Sequence, residues 1–197
     1  MADKQTDAIA LLKADHRAVK ELFEKFDATD SKSKQKELAT QICTELVIHT
    51  TIEEEIFYPA LKGKIEDDLL NESYVEHDGA KLLIGQIMAG EPGEEFYEAK
   101  VTVLSEEIAH HVEEEEAPKD GMFAQARDSD VDLVALGAAM EARKEELKAQ
   151  FKTNGIPTPT ARTLKPVEIE LGEPVACPSS PGVGPQVVGA RRTTVTP

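Results

Sequence analysis

The chain has 197 residues, enough for one domain with a real core, and it is strongly acidic: 22 Lys and Arg stand against 38 Asp and Glu, for a formal charge of −16. Such a surface repels phosphate backbones and anionic membranes, which excludes the usual nucleic-acid and lipid binders and suits a cation binder. No apolar run approaches the roughly 20 residues that span a bilayer.

The N-terminal stretch MADKQTDAIA lacks the basic start and apolar run of a signal peptide. Cys43 and Cys177 form no CxxC and read as free thiols, so a reducing cytoplasm is the expected location. The first predicted helix, TDAIALLKADHRAVKELFEKF, aligns Ile9, Leu12, His16, Val19, Phe23 and Phe26 on one face, with Thr6 or Asp7 as its cap. A second is expected over about 34–58, with Leu38, Ile42, Glu45, His49, Ile52 and Ile56 in line and a stop at Pro59 and Gly63. A third, over about 66–88, carries Leu70, Tyr74, His77, Lys81, Ile84 and Met88. A fourth, over about 94–117, carries Tyr97, Val101, Leu104, Ile108, His111 and Glu115. A fifth, over about 131–151, is expected to be capped by Ser129 or Asp130 and stopped by Asn154-Gly155.

Four long helices with short links predict an all-α fold: an up-down-up-down antiparallel four-helix bundle, with the fifth helix outside it. Residues 1–151 form that domain. Residues 152–197 are rich in Pro, Gly, Ser and Thr and read as a largely disordered tail.

Each bundle helix places one histidine in its apolar stripe, and only His110 points elsewhere. At 1.5 Å per residue, His16 and His77 lie about 14 and 16 Å from one end of the bundle, and His49 and His111 about 14 and 9 Å. The four imidazoles can therefore share one layer. Glu53 follows His49 by four residues and Glu115 follows His111 by four, so each carboxylate shares its histidine's face. Four imidazoles and two carboxylates without a cysteine suit one or two ions of iron or manganese, with zinc as a further option. A bound dication would also offset the crowding of carboxylates in HHVEEEE (110–116), at a helix end that disfavours negative charge. There is no HExxH, no Gly-rich phosphate loop and no nucleophile elbow.

At these residues the chain resembles the hemerythrin-like, or HHE cation-binding, family. The matching pieces are DHR around His16, HTTIEEEIFYP from His49, EHDGAK around His77 and HHVEEEE around His111, with LGAAMEARKEEL in the fifth helix resembling the segment that often follows. The resemblance implies non-haem iron, an oxo- or hydroxo-bridged pair, held by His16, His49, Glu53, His77, His111 and Glu115, with Glu53 and Glu115 bridging. The oxygen carriers of that family have a second histidine four residues before the third-helix ligand, where this chain has Ser73. They have an aspartate five residues after the fourth-helix histidine, where this chain has Glu116. Tyr74, Glu45 and Glu76 lie close enough in sequence to support the ligands. Three uses stay open: binding or sensing O2, NO or peroxide or buffering iron; a diiron enzyme that decomposes peroxide or reduces NO; and a metal-free bundle whose histidines satisfy one another.

Overall fold

The computed structural model describes residues 6–165. Among the described residues seven α-helices follow in order: α1 (Ala8–Asp27), α2 (Lys32–Ile52), α3 (Tyr58–Leu61), α4 (Asp67–Ala89), α5 (Tyr97–Glu116), α6 (Met122–Asp128) and α7 (Leu133–Asn154). A π-helical segment, Glu53–Phe57, joins α2 to α3. Among the described residues there is no strand, and no helix is long and apolar enough to cross a membrane. The expected tail lies outside the described residues from 166 on.

Two apolar cores show how the helices run. One gathers Leu11 and Leu12 from the start of α1, Ile48 and Ile52 from the end of α2, and Leu70 from the start of α4. The other gathers Phe23 and Phe26 from the end of α1, Leu38 and Ile42 from the start of α2, Ile84 and Ile87 from the end of α4, and Tyr97 and Val101 from the start of α5. Starts meet ends, so α1, α2, α4 and α5 alternate in direction. The packing of α1 on α2, α2 on α4, α4 on α5 and α5 on α1 closes the bundle. Each fully buried Leu, Ile or Phe contributes about 1.5–3 kcal/mol relative to exposure. The four stripe histidines lie between the two cores.

Local chemistry sets the ends. Asp7 caps α1, its side chain accepting from Ala10 N at 2.8 Å. Asp132 caps α7, accepting from the N–H groups of Val134 and Ala135 at 3.2 and 3.0 Å. The expected cap Ser129 instead closes α6, its hydroxyl donating to Ala126 O at 2.7 Å. Gly155 ends α7 at φ 79°, as the Asn154-Gly155 signal predicts.

Three features differ from the periodic reading. The second predicted helix is not regular throughout: Pro59 lacks an N–H and its ring would crowd the Glu55 carbonyl in an α-helix, and the widened π turn relieves that conflict. Helix α6 is short enough to leave little periodic signal. It folds back on α5 at Gly121, where a Cβ would meet Ala117 N and O at 2.6 Å. The chain beyond α7 also turns back onto the bundle. Asp78 on α4 accepts the N–H groups of Arg162 (2.8 Å to each oxygen), Thr163 and Leu164 (3.0 Å), and the Thr163 hydroxyl at 2.7 Å.

Helix α7 packs on α1, α2 and the π segment. Its contact with the start of α1 depends on Gly137, where a Cβ would lie 2.5 Å from Thr6 O and 2.7 Å from Ala8 N. Backbone atoms have little room to retreat. Gly137→Ala is expected to destabilise the fold by about 1–3 kcal/mol. Gly85→Ala, at a helical position with nothing within 4 Å, is expected to stabilise it by about 0.5–1 kcal/mol. Urea denaturation of both variants measures the contrast, and equal effects would refute this packing.

Candidate metal centre

The four stripe imidazoles meet as two pairs. His16 Nε2 lies 3.2 Å from His49 Nε2, and His77 Nε2 lies 3.2 Å from His111 Nε2. Glu53 stands between the pairs, with Oε2 at 3.2 Å from His49 Nε2 and 3.3 Å from His77 Nε2. Glu115 spans them with different atoms: Oε2 is 3.4 Å from His16 Nε2 and Oε1 is 3.7 Å from His111 Nε2. All six side chains are buried. All six sequence-predicted residues are therefore brought together. Of the last two glutamates of α5, Glu115 turns inward and Glu116 turns to the outer side of His16.

The outer ring nitrogens have partners of their own. His16 Nδ1 lies 2.8 Å from Glu116 Oε1, His77 Nδ1 3.0 Å from Glu54 Oε1, and His111 Nδ1 2.7 Å from Glu76 Oε2. His49 Nδ1 faces Asp15 at 3.8 Å, beyond hydrogen-bond reach. Three of these carboxylates are held in turn by a lysine: Glu116 by Lys13 at 2.6 Å, Glu54 by Lys81 at 2.6 Å, and Asp15 by Lys144. A carboxylate acceptor at Nδ1 keeps the proton there and turns the Nε2 lone pair inward.

The sequence points to Glu76 as a member of this outer set but not to Glu54, Glu116 or Asp15. Tyr74 stands one ring further out, edge-on to Tyr58 at 5.3 Å. Glu45 lines an outer groove with Lys144. Tyr58 carries no such signal in the sequence, and it reaches the centre because the π turn stacks it over Glu53. Its hydroxyl lies 3.1 Å from Glu115 Oε1, 3.2 Å from His77 Nε2 and 3.4 Å from Glu53 Oε2. Ser73 faces its own helix, donating to Leu69 O at 2.9 Å. Phe123 of α6 stacks on His16 at 5.8 Å, walling the centre on that side.

The electrostatics suit a cation. Burial and the charge of Glu115 hold the Glu53 carboxyl well above its ordinary range. Burial also pushes Glu115 up, but the His111 and His16 imidazoles outweigh it and hold Glu115 low. Burial pulls His49 down to about 4. Among the described residues no Lys or Arg forms an ion pair with Glu53 or Glu115. Buried and without hydrogen-bond partners are Glu53 Oε1 and Glu115 Oε2. Within each pair, two imidazole lone pairs face each other at 3.2 Å when both protons sit on Nδ1. Facing lone pairs and unpartnered carboxylate oxygens fit a metal ion better than they fit one another. The ligand atoms of His16, His49, Glu53 and Glu115 lie within 4.8 Å of one another, as do those of Glu53, His77 and His111. Glu53 belongs to both sets.

Fold and centre together define a helical-bundle protein with a buried histidine–carboxylate cluster. The chain belongs to the hemerythrin HHE cation-binding family, whose model matches residues 7–118. A hemerythrin HHE cation-binding domain-containing protein from Mycobacterium kansasii, known from its crystal structure, is similar at a TM-score of 0.62 and 25% identity, over 76% of this chain and 94% of that one. A DNA nickase from Nostoc sp. is 30% identical over 129 residues, which is 65% of this chain but 36% of the nickase. The chain thus spans about a third of that relative's length.

Replacing Glu53 separates the cost of the centre from its use. Glu53→Gln removes a buried carboxylate whose charged form is disfavoured, so the metal-free protein is expected to melt no lower than the wild type. The wild type should gain about 2.7 kcal/mol from metal at one hundred times its dissociation constant, and the variant none. Thermal melts with added metal and with chelator measure both, and an equal metal-dependent rise in the variant would contradict the assignment.

Proposed function

We propose that the centre holds two iron ions, one by His16 and His49 and one by His77 and His111, with Glu53 and Glu115 shared between them. The protein then binds or senses O2, NO or peroxide, or buffers iron. The observation that carries this reading is the pairing of imidazoles on either side of one shared carboxylate. A bound ferrous pair supplies open coordination positions and electrons to a small ligand.

The surrounding residues favour a ligand of few atoms. A cavity of about 10 Å³, room for one water-sized molecule, adjoins the imidazoles and Asp15 and is otherwise lined by Val19, Leu46, Thr50, Ile108 and Val112. A space of that size excludes a larger substrate and favours a ligand of very few atoms. Glu116, Glu54 and Glu76 orient three of the four rings. Burial, reinforced by the charges of Glu115 and Glu53, keeps the Tyr58 phenol protonated, so Tyr58 holds a proton beside Glu115 Oε1. Its hydroxyl also stands beside His77 Nε2, where the oxygen carriers' second third-helix histidine is replaced by Ser73.

That proton favours a second reading, a diiron enzyme that decomposes peroxide or reduces NO. The nickase activity is not carried over. The matched part is a third of that protein, and a charge of −16 offers poor neutralisation of DNA phosphates.

Metal analysis with an absorption spectrum tests the main reading. Aerobically purified protein is expected to hold about two irons per chain, as a six-ligand dinuclear site requires. His111→Ala should lose the iron, and full retention would overturn the ligand set. Tyr58→Phe separates the two uses. Iron content should be unchanged, and a turnover with peroxide or NO should fall about 100-fold if the phenol is a general acid. Stoichiometric adduct formation without turnover in the wild type supports the binder.

A further inference from the structure

The segment after α7 touches the centre's surroundings by two independent routes. Along the first, Arg162, Thr163 and Leu164 close on the Asp78 carboxylate through three backbone N–H groups and one hydroxyl. Lys81, one turn along α4, reaches Asp78 Oδ1 at 3.3 Å and Glu54 Oε1 at 2.6 Å. Glu54 Oε1 is the partner of His77 Nδ1. Along the second, the Arg162 guanidinium lies over the Tyr74 ring at 4.4 Å, and Tyr74 packs edge-on against Tyr58. The Tyr58 hydroxyl ends beside His77 Nε2. Both routes converge on one imidazole, one at each ring nitrogen. None of these contacts involves His16 or His49.

An ordinary surface anchor would not be built this way. Asp78 is fully buried and adjoins His77 in sequence. Without the segment its carboxylate would keep only Lys81, whose ammonium could then move toward Asp78 and away from Glu54. Glu54 would lose the cation that holds it, and the His77 ring would lose its fixed tautomer and angle.

We propose that residues 162–164 are a latch for the His77–His111 half of the centre, with Asp78, Lys81 and Tyr74 as positioning residues. Seating the latch and binding a cation at that half then stabilise each other, by the same factor in each direction. The cation part of this inference rests on the metal reading above. The positioning part does not, because it concerns the His77 ring in the metal-free chain.

The test uses the full chain and Thr163→Pro, which removes one N–H and the hydroxyl from Asp78, with Arg162→Ala as a milder variant that lifts only the Tyr74 contact. Both changes lie outside the bundle core, so folding is expected to survive. In the metal-free chain, the His77 imidazole resonances should shift in Thr163→Pro while those of His16 stay. With ferrous ion under anaerobic conditions, amide exchange of residues 162–164 in the wild type should slow at least tenfold. Chelator competition should show one of two equivalents bound at least tenfold more weakly in Thr163→Pro and the other unchanged. Unmoved His77 resonances, with exchange and both affinities unchanged, would overturn the latch. If the wild type takes up no ferrous ion, the metal reading fails, and the His77 resonances alone decide the latch: shifted, it stands; unmoved, it falls.

Discussion

Glu53 and Glu115 are sealed from solvent in a polar layer between two apolar cores, and no lysine or arginine pairs with either among the described residues. Burying a carboxylate without a compensating charge costs several kcal/mol. The protein compensates with imidazoles, one from each bundle helix, and places its lysines one step further out, on the carboxylates that hold those imidazoles. Along His16 and His77 the layer therefore reads outward as carboxylate, imidazole, carboxylate, ammonium. Three of the four rings are fixed in angle and tautomer, and their Nε2 atoms turn toward the two carboxylates. A dication would satisfy the inward face.

The same order explains the acidic end of α5. A helix C-terminus disfavours negative charge, yet HHVEEEE ends this one. Glu115 lies against His16 and His111, Glu116 against His16 and Lys13, and Glu114 against His110 at 3.3 Å. Three of the four carboxylates thus meet an imidazole. What looks like a solvated acidic run is the edge of the centre and its first ring of support. The π segment serves the same centre: the turn that accommodates Pro59 brings Glu53, Glu54 and Tyr58 to it from five consecutive positions and the one that follows.

The bundle and the six central residues were legible because both rest on periodicity. A spacing of three and four places His16 beside Leu12 and Val19, and a spacing of four ties Glu53 to His49 and Glu115 to His111. The outer partners were harder to read. Glu54 and Glu116 sit one residue from an inward carboxylate, where a regular helix turns them about 100° away. Only the neighbouring helices show that this direction faces another histidine. Tyr58 depends on a π turn whose sole sequence signal is Pro59. Phe123 comes from a helix too short for a periodic signal, and the seat of residues 162–164 on Asp78 is a long-range contact without local pattern.

On the proposed function, two cations occupy the histidine layer and share its buried carboxylates. Crystals of the iron-loaded protein, measured at the iron absorption edge, test this most directly. Two anomalous peaks about 3.5–4 Å apart are expected, one beside His16 and His49, one beside His77 and His111, with Glu53 reaching both. A layer without a peak in fully loaded crystals, or iron found only at the outer group of Glu76, His110 and Glu114, would refute this occupancy.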